Sequence, residues 1–350
     1  MSEQHNMKIS YTDTIPDLLK KLKCTIAVST YHVGKVIFIC PLSTTQLLQI
    51  PKHFKKPMGI AVSGDKLAVA SINKVTVFSN SPKLAINYPI KPKTFDALFM
   101  PRADYYCGRI DVHDLNWGKD GLWAVNTGFS CLSIIDDNHS FTPKWQPPFI
   151  TDLMPEDRCH LNGLAMKNGY PAYVTALSQT NTKEGWRSNL ANSGILMDVK
   201  TEDILLDQLP VPHSPRLLDG HIYFLLSGTG ELVKYNLETK SYESVQLPGF
   251  ARGMAEYGNY LFIGLSKIRK SSKSFQTLPV KSKAKYAGVV VLYKPSLSIV
   301  GEIRYEDTVE EIYDVQILPN VLRPSIVNPE NEIHERSLSA PGLNFWGRPK

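Results

Sequence analysis

The sequence lacks the features that mark secreted disulfide-rich and membrane proteins. It has five cysteines, an odd number, and no two of them form a C-x-x-C pair, so a disulfide framework is not indicated. No stretch approaches the roughly 18 apolar residues of a membrane-spanning helix. The opening residues contain no apolar core of the kind found in a secretory signal. These absences predict a cytoplasmic protein that has no membrane partner.

Strong overall charge is also missing. The formal net charge is only +6 over 350 residues, and no DNA- or RNA-binding signature accompanies it, so we expect no nucleic-acid partner. Much of the excess falls in one polar stretch, which we interpret as a solvated loop, although contact with a partner stays open. Its basic residues are Lys267, Arg269, Lys270, Lys273, Lys281, Lys283 and Lys285.

Sustained helical periodicity is absent except at residues 15–23, where one or two amphipathic turns are indicated. In its place a unit of four short strands recurs. Residues 214–247 show it most clearly, with a hairpin signal at Asp219-Gly220 and turns at residues 227–231 and 237–240. Four antiparallel strands in about 35 residues match one blade of a β-propeller.

The same unit appears at residues 58–90, at 113–145, from 160 onward and from 251 onward. A sixth unit is predicted to combine three strands in residues 25–50 with an innermost strand in 311–319, which would close the ring. The sequence therefore predicts an all-β, six-bladed propeller closed by pairing N-terminal strands with a C-terminal strand. A pair of β-sandwiches explains the repeated units less well. The expected divisions are an N-terminal extension (1–23), one propeller domain (24–319) and a C-terminal tail (320–350).

Aligning the six innermost strands places three histidines at one equivalent position, His113, His160 and His213. The other three blades carry Met58, Ala251 and Tyr313 there. Three imidazoles that converge at one end of the channel would suit a divalent metal ion, and three protein ligands leave coordination positions open. We therefore predict a divalent metal cofactor at these histidines.

Carboxylates and arginines occupy nearby positions of the same register. Asp111, Asp114 and Asp314 are candidates for proton transfer, and Glu311 stands beside them. The candidates for binding a small anionic substrate are Arg158, Asn162, Arg216, Arg252 and Trp186. Arginine is suited to this because its guanidinium binds carboxylate and phosphate groups in a bidentate manner. An alternative is that the arginines and carboxylates pair with one another as a structural network, since buried charges need partners.

Several segments together resemble a family of uncharacterised, mostly bacterial proteins. They are DVHDLNWGKDGLWAVNTGFSCLSIID (111–136), FTPKWQPPFITDLMPEDRCHLNGLAM (141–166), GWRSN (185–189), PHSPRLLDGHIYFLLSGTGELVKYN (212–236) and LPGFARGMAEYGNYLFIGLSKIR (247–269). The resemblance covers roughly residues 20–320. It implies a propeller-like fold, in a domain that is sometimes fused to tetratricopeptide repeats, and it implies no particular reaction.

These observations lead to one hypothesis and two rivals. The leading hypothesis is a metal-dependent enzyme that acts on a small anionic substrate at one mouth of the channel, with lyase, hydrolase, isomerase and oxidative chemistry all open. The first rival is a non-catalytic scaffold that binds a protein or glycan. The second is a metal-free acid–base enzyme that uses the same residues.

Overall fold

Tight turns divide the chain into short antiparallel strands in the computed structural model, which describes residues 7–268 and 273–348. At Asn168-Gly169 the φ angles are 54° and 83°, and at Asp219-Gly220 they are 49° and 78°. Two successive positive φ angles define the hairpin turn whose twist matches that of the flanking strands, and glycine adopts this conformation without a steric penalty.

The N-terminal region contributes one short strand, one helix and three longer strands. They are β1 (Ile9–Tyr11), α1 (Ile15–Leu22), β2 (Cys24–Thr30), β3 (Lys35–Pro41) and β4 (Leu47–His53).

Blades two to six then follow in chain order. Blade two has β5 (Ile60–Ser63), β6 (Lys66–Ala70), β7 (Val75–Asn80), the helix α2 (Pro82–Ile86) and β8 (Ala97–Tyr105). Blade three has β9 (Val112–Gly118), β10 (Gly121–Asn126), β11 (Cys131–Ile135) and β12 (Thr142–Trp145). Blade four has β13 (Leu161–Lys167), β14 (Tyr170–Ala176), β15 (Gly194–Asp198) and β16 (Ile204–Leu209). Blade five has β17 (Pro212–Leu218), β18 (His221–Leu226), β19 (Glu231–Asn236) and β20 (Tyr242–Gln246). Blade six has β21 (Phe250–Tyr257), β22 (Tyr260–Ser266), β23 (Ala287–Tyr293) and β24 (Ser298–Tyr305).

The C-terminal region adds β25 (Asp314–Pro319), β26 (Pro324–Ile326), β27 (Ser337–Ala340) and β28 (Leu343–Trp346). Short 3₁₀ helices occupy Gly185–Ser188, Lys273–Thr277, Pro279–Ser282 and Glu332–Arg336.

The six sheets form a ring. Each innermost strand contacts the innermost strand of the next blade, in the order β25, β5, β9, β13, β17, β21 and back to β25. β25 completes blade one by pairing with β2, with Ser29 opposite Asp314. The predicted six-bladed propeller and its closure by a C-terminal strand are therefore confirmed. The alternative of paired sandwiches is wrong.

Apolar side chains from neighbouring blades pack together between the sheets. Phe38 and Phe78 pack between blades one and two, Phe224 packs between blades four and five, and Phe262 packs between blades six and one. All four rings are fully buried. Each such burial contributes roughly 1.5–3 kcal/mol, so the contacts between blades hold the ring together.

Both terminal segments pack onto the propeller. β1 pairs with β24 as a fifth strand of blade six, and α1 buries Ile15 and Leu19 against the same region. β26 pairs in parallel with β8 as a fifth strand of blade two, and β27 and β28 form a hairpin. The Trp346 indole N–H of that hairpin donates to the Leu84 carbonyl at 3.0 Å.

Blade two differs from its prediction in its fourth strand. The sequence unit 58–90 placed that strand before residue 90, but α2 occupies this segment and the strand follows as β8. Pro82 stands in the first turn of α2, where its missing N–H costs nothing. Leu84 and Ala85 are buried beneath the C-terminal segment, so tertiary packing stabilises a helix there.

Two further findings concern the cysteines and the helices. All five cysteines are buried and free. Within residues 7–268 and 273–348, no helix has both the length and the apolar character needed to cross a membrane.

Candidate functional site

A cavity of about 550 Å³ opens where the innermost strands begin. Residues from the channel wall and from three long loops line it, and they include five of the eleven residues that the sequence nominated. The lining consists of Tyr31, Asp111, His113, Gly128, Pro155, Glu156, Asp157, His160, Lys183, Glu184, Trp186, Arg187, Phe250, Arg252, Ser266, Lys267, Ile268, Phe275, Glu311 and Tyr313.

Hydrogen bonds fix the tautomer of His113. Its Nδ1 lies 3.2 Å from the Asp111 carbonyl and 2.8 Å from the Thr127 hydroxyl. The carbonyl can only accept, and the Thr127 hydroxyl gives its single proton to the Leu161 carbonyl at 2.5 Å. Nδ1 must therefore carry the proton, and the lone pair of the neutral ring lies on Nε2.

His213 is held in the same way. Its Nδ1 lies 3.2 Å from the Val211 carbonyl and 2.9 Å from the Ser227 hydroxyl, which donates to the Ala251 carbonyl at 2.5 Å. The ring packs against Phe250, with the ring centres 6.2 Å apart. His213 itself is buried and does not line the cavity.

His160 has a carboxylate partner. Its Nδ1 lies 3.0 and 2.9 Å from the two oxygens of Asp157, so Nδ1–H donates to the carboxylate. Trp186 donates its indole N–H to the same carboxylate at 2.9 Å, and its ring centre lies 4.3 Å from that of His160. The carboxylate and the indole together hold the imidazole in place, and in its neutral form the ring has its lone pair on Nε2.

The rings of His113 and His160 meet edge to face, with their centres 4.7 Å apart. Burial lowers the pKa of His113 well below its ordinary value, and the positive charges of Arg252 and protonated His160 lower it further. Burial, followed by the charge of Arg252, likewise lowers the pKa of His213. Both rings are therefore neutral near pH 7 and can accept a proton or bind a metal ion.

Backbone strain accompanies these histidines. Asp111, Asp157, His160 and Val211 have positive φ angles of 56°, 47°, 52° and 58°. For non-glycine residues this conformation costs of order 1–3 kcal/mol each, and for a β-branched valine it is rare. Asp111 and Val211 each stand two residues before the histidine whose Nδ1–H their carbonyl accepts. The strained backbone thus supplies a hydrogen-bond acceptor to each ring.

Arg252 is a half-buried cation that lines the cavity. Its guanidinium carbon lies 3.4 Å from the centre of the Tyr313 ring, a cation–π arrangement. Its Nη2 atom is shielded from bulk water and makes no hydrogen bond with any residue that the structure describes. An unpaired buried donor costs about 1–3 kcal/mol or more, and an anionic ligand would remove that cost.

Asp111 is the nominated proton-transfer residue that reaches the cavity. Its side chain is 46% exposed to the cavity, and its carboxylate lies 3.7 Å from Nδ1 of His113. The enclosing channel walls desolvate the group and raise its pKa, although Arg252 and His160 oppose this effect.

Asp114, Arg216 and Asp314 lie deeper, in a buried network outside the cavity lining. Arg216 donates to the Asp114 carboxylate at 2.9 Å and to three backbone carbonyls. Asp314 accepts from the backbone N–H groups of Ile60 and Val315, each at 2.8 Å. Burial and the negative charge of Asp114 raise the pKa of Asp314 to about 7. The hydrogen bonds from Leu164 to Asp114 and from Ile60 to Asp314 each join neighbouring blades.

Asn162 and Arg158 are also bound to other protein groups. Asn162 donates to the Pro212 carbonyl at 3.0 Å and accepts from Thr175 at 2.8 Å, which ties blade four to blade five. Arg158 donates to Glu156 and Asn181, each at 2.8 Å, within the loops beside the cavity. Neither side chain lines the cavity.

The basic stretch lies partly at the cavity. Lys267 belongs to the lining, whereas Lys281, Lys283 and Lys285 are exposed. Arg269 and Lys270 lie outside the described residues.

Several residues of the site were not predicted from the sequence. Asp157 belongs to a loop, so strand alignment did not detect it, although the D-x-x-H spacing to His160 was visible. Thr127 and Ser227 each follow their histidine by fourteen residues, a repeated spacing that could have revealed them. Phe250 and Phe275 gave no signal beyond their apolar character.

A complete metal shell is not formed by the described residues, which contain no group of three or more His, Cys, Asp or Glu side chains placed to hold a metal ion. His113 and His160 line the cavity together, while His213 lies outside its lining. In the first two, Nδ1–H is bound to another protein group and Nε2 is left for a ligand, which is the arrangement that metal-binding histidines show.

The fold and the cavity define a six-bladed β-propeller with a polar pocket at one channel mouth. The chain belongs to a family described as a domain of unknown function (DUF4915), whose model matches residues 13–327. The predicted family is therefore confirmed. No curated protein matches the chain.

Two solved structures show the same fold at low sequence identity. One comes from a nidogen/laminin complex, with 10% identity and a TM-score of 0.51, covering 85% of this chain and 99% of that chain. The other is a protein of unknown function from Bacteroides caccae, with 10% identity and a TM-score of 0.51, covering 84% of this chain and 98% of that chain. At this identity the likeness concerns the fold alone.

Proposed function

We propose that the protein is an enzyme that binds a small anionic substrate in the mouth cavity and moves a proton on it. The observation that carries the proposal is the meeting, in one cavity, of two imidazoles held through their Nδ1 atoms and a guanidinium whose shielded Nη2 has no hydrogen-bond partner among the described residues. Strongly perturbed titratable groups inside a cleft are typical of catalytic sites.

Arg252 would bind the anion. Its Nη2 needs a partner, and stacking on Tyr313 holds the guanidinium plane in place before a ligand arrives. A preorganised donor of this kind binds charge without first paying to reorganise.

His160 and His113 would accept or donate the proton. Asp157 orients His160 and stabilises its protonated form, which is the role of the carboxylate in a carboxylate–histidine pair. His113 lacks a direct carboxylate partner at hydrogen-bond distance, since Asp111 is 3.7 Å away, so it is suited to work as the neutral partner. Asp111 could take part in its protonated form.

A divalent metal ion is the second part of the proposal. His113 and His160 would bind it through Nε2, and water or the substrate would supply further ligands. The metal would contribute Lewis acidity. His213 would join this shell only if its buried ring also reached the ion.

Binding of simple anions tests the first part. We expect acetate or a similar small carboxylate to bind the purified protein at one saturable site, with the affinity falling at least about tenfold in Arg252→Met. Arg187→Met is the matched control, because Arg187 also lines the cavity but is paired with Glu184. Equal anion binding by Arg252→Met and the wild type would refute the proposal.

A further inference from the structure

The lining of the cavity combines two kinds of surface. Part of it is polar and carries His113, His160 and Arg252. Part of it is apolar and carries Phe250, Phe275 and Ile268. The rings of Phe250 and Phe275 meet edge to face with centres 5.9 Å apart, and Phe275 also contacts Trp186 at 6.5 Å. A cavity that offers both a cation and an apolar surface suits an amphipathic ligand.

Trp186 is already in contact with two protein groups and is buried. His160 covers the indole with ring centres 4.3 Å apart, and the guanidinium of Arg187 lies 4.2 Å from the ring centre. The apolar surface left for a ligand therefore includes the two phenylalanines and Ile268.

The spacing within β21 relates the polar and apolar parts of the lining. Phe250 and Arg252 are two residues apart on one strand, and both line the cavity. The strand is irregular between Ala251 and Met254, but both side chains reach the same cavity, and residues two apart on an extended chain stand about 7 Å apart. A carboxylate attached directly to a six-membered ring spans a similar distance, so its head could bind Arg252 while its ring contacts Phe250.

The charge of the lining favours a monoanion. Among the described residues, five carboxylate side chains and four cationic side chains line the cavity. Arg187 is paired with Glu184, and Lys183 is exposed. A phosphate with nearly two negative charges would face uncompensated repulsion here, whereas a carboxylate adds one charge beside Arg252.

We infer that the ligand is a monocarboxylate that bears an aromatic or similarly sized apolar group next to the carboxylate, bound between Arg252 and the apolar surface of Phe250 and Phe275. This inference rests on the proposed function and specifies its substrate class. It assigns Phe275 as a specificity-determining residue.

Calorimetric titration with four probes tests it: acetate, benzoate, benzamide and inorganic phosphate. We expect benzoate to bind about 10- to 100-fold more tightly than acetate, because its ring removes on the order of 100 Å² of apolar surface from water. Benzamide and phosphate should bind more weakly than benzoate. Phe275→Ala should lose about fivefold or more of the benzoate affinity while leaving acetate binding unchanged, which also shows that the variant is folded.

Phe345→Ala is the matched control, since Phe345 is 57% exposed on the C-terminal hairpin. The outcomes separate the two proposals. If acetate and benzoate bind equally and both depend on Arg252, the substrate class is wrong while the anion site stands. If phosphate binds most tightly, the monocarboxylate assignment is wrong. If no carboxylate binding depends on Arg252, the proposed function itself fails.

Discussion

His113 and His213 are held by the same pair of hydrogen bonds although they lie in different blades. In each case Nδ1–H meets the carbonyl two residues earlier and a hydroxyl fourteen residues later, and that hydroxyl donates to the next blade. The Thr127 and Ser227 hydroxyls therefore link each histidine's blade to the next one. Only His113 faces the cavity, so the arrangement serves the stability of the ring as well as the site.

Removing the bridging hydroxyl should destabilise the ring. Thr127→Val leaves the Leu161 carbonyl and the His113 Nδ1–H without their shared partner, and we expect a loss of about 1–3 kcal/mol in the free energy of unfolding. Urea titration measures it. Thr127→Ser keeps the hydroxyl and should recover most of the loss; a serine variant as unstable as the valine variant would show that the methyl group, not the hydroxyl, matters.

Asp157→Asn should weaken the site without unfolding the protein. The neutral amide cannot stabilise protonated His160 as a carboxylate does, and it presents a less effective acceptor to the Trp186 indole. We expect turnover or metal affinity to fall about 10- to 100-fold, with an unchanged unfolding midpoint. The control is Asp152→Asn, at a carboxylate whose side chain is 71% exposed. An Asp157 variant with full affinity would remove this residue from the site.

The metal proposal predicts about one equivalent of divalent metal in the purified protein after incubation with Zn²⁺, Mn²⁺ or Fe²⁺ and dialysis. Elemental analysis measures it. His113→Ala combined with His160→Ala should abolish the binding. His221→Ala should not, because this ring lies outside the cavity lining and contacts the Asp219 carbonyl. If the double variant retains the metal, the ion binds elsewhere. If the wild-type protein binds no metal, the metal proposal is wrong.

The buried pair of Asp114 and Arg216 should be strongly coupled. Arg216→Met leaves the Asp114 carboxylate, which is 4% exposed, without its cation. We expect a loss of about 3–5 kcal/mol in unfolding free energy. Adding Asp114→Asn should return about 0.5–3 kcal/mol of that loss, which a double-mutant cycle in urea measures. Strict additivity would show that the two side chains act independently.

Asp314 should make stability depend on pH. Burial raises the pKa of its carboxyl from 3.8 to about 7, so the folded protein binds a proton that the unfolded chain releases between these values. The contribution of Asp314 to the free energy of unfolding is greatest below about pH 4 and is lost as the pH rises through about 7. Unfolding measured between about pH 5 and about pH 8 should show this decline.

Asp314→Asn has no titratable group and should remove that part of the decline. The variant costs a hydrogen bond, because an amide N–H would face the N–H of Ile60 or Val315, so it should be less stable than the wild type at low pH. The difference in unfolding free energy between the wild type and the variant should become smaller as the pH rises. A pH profile parallel to that of the wild type would contradict the assignment.

The fold was predictable because turns and alternating strands recur along the chain. Asp219-Gly220 and Asn168-Gly169 revealed hairpins, and the four-strand rhythm gave the blades. The prediction of the fourth strand of blade two was wrong from Pro82 onward, because the helix there depends on the burial of Leu84 beneath the C-terminal segment, which is a long-range contact. Local patterns carry no information about such contacts.

The site was predictable in part. Strand register brought His113 and His160 together correctly, because equivalent positions of neighbouring blades converge at the channel. Strand register did not distinguish the residues that line the cavity from those buried between the blades. Asp114 and Asp314 follow directly after cavity residues, and adjacent strand residues point to opposite sides, so these carboxylates bind the neighbouring blade. Asp157 lies in a loop that no register describes.

The pairing of β25 with β2 has a consequence for how the protein is made. The ribosome releases β2, β3 and β4 early, but the strand that completes their blade emerges only after every other blade has been synthesised. Throughout translation the β2 edge, with Ile26 and Val28 on it, has no partner strand. Open apolar edges of this kind recruit chaperones or aggregate. The nascent chain is therefore most vulnerable just before Pro319 leaves the exit tunnel.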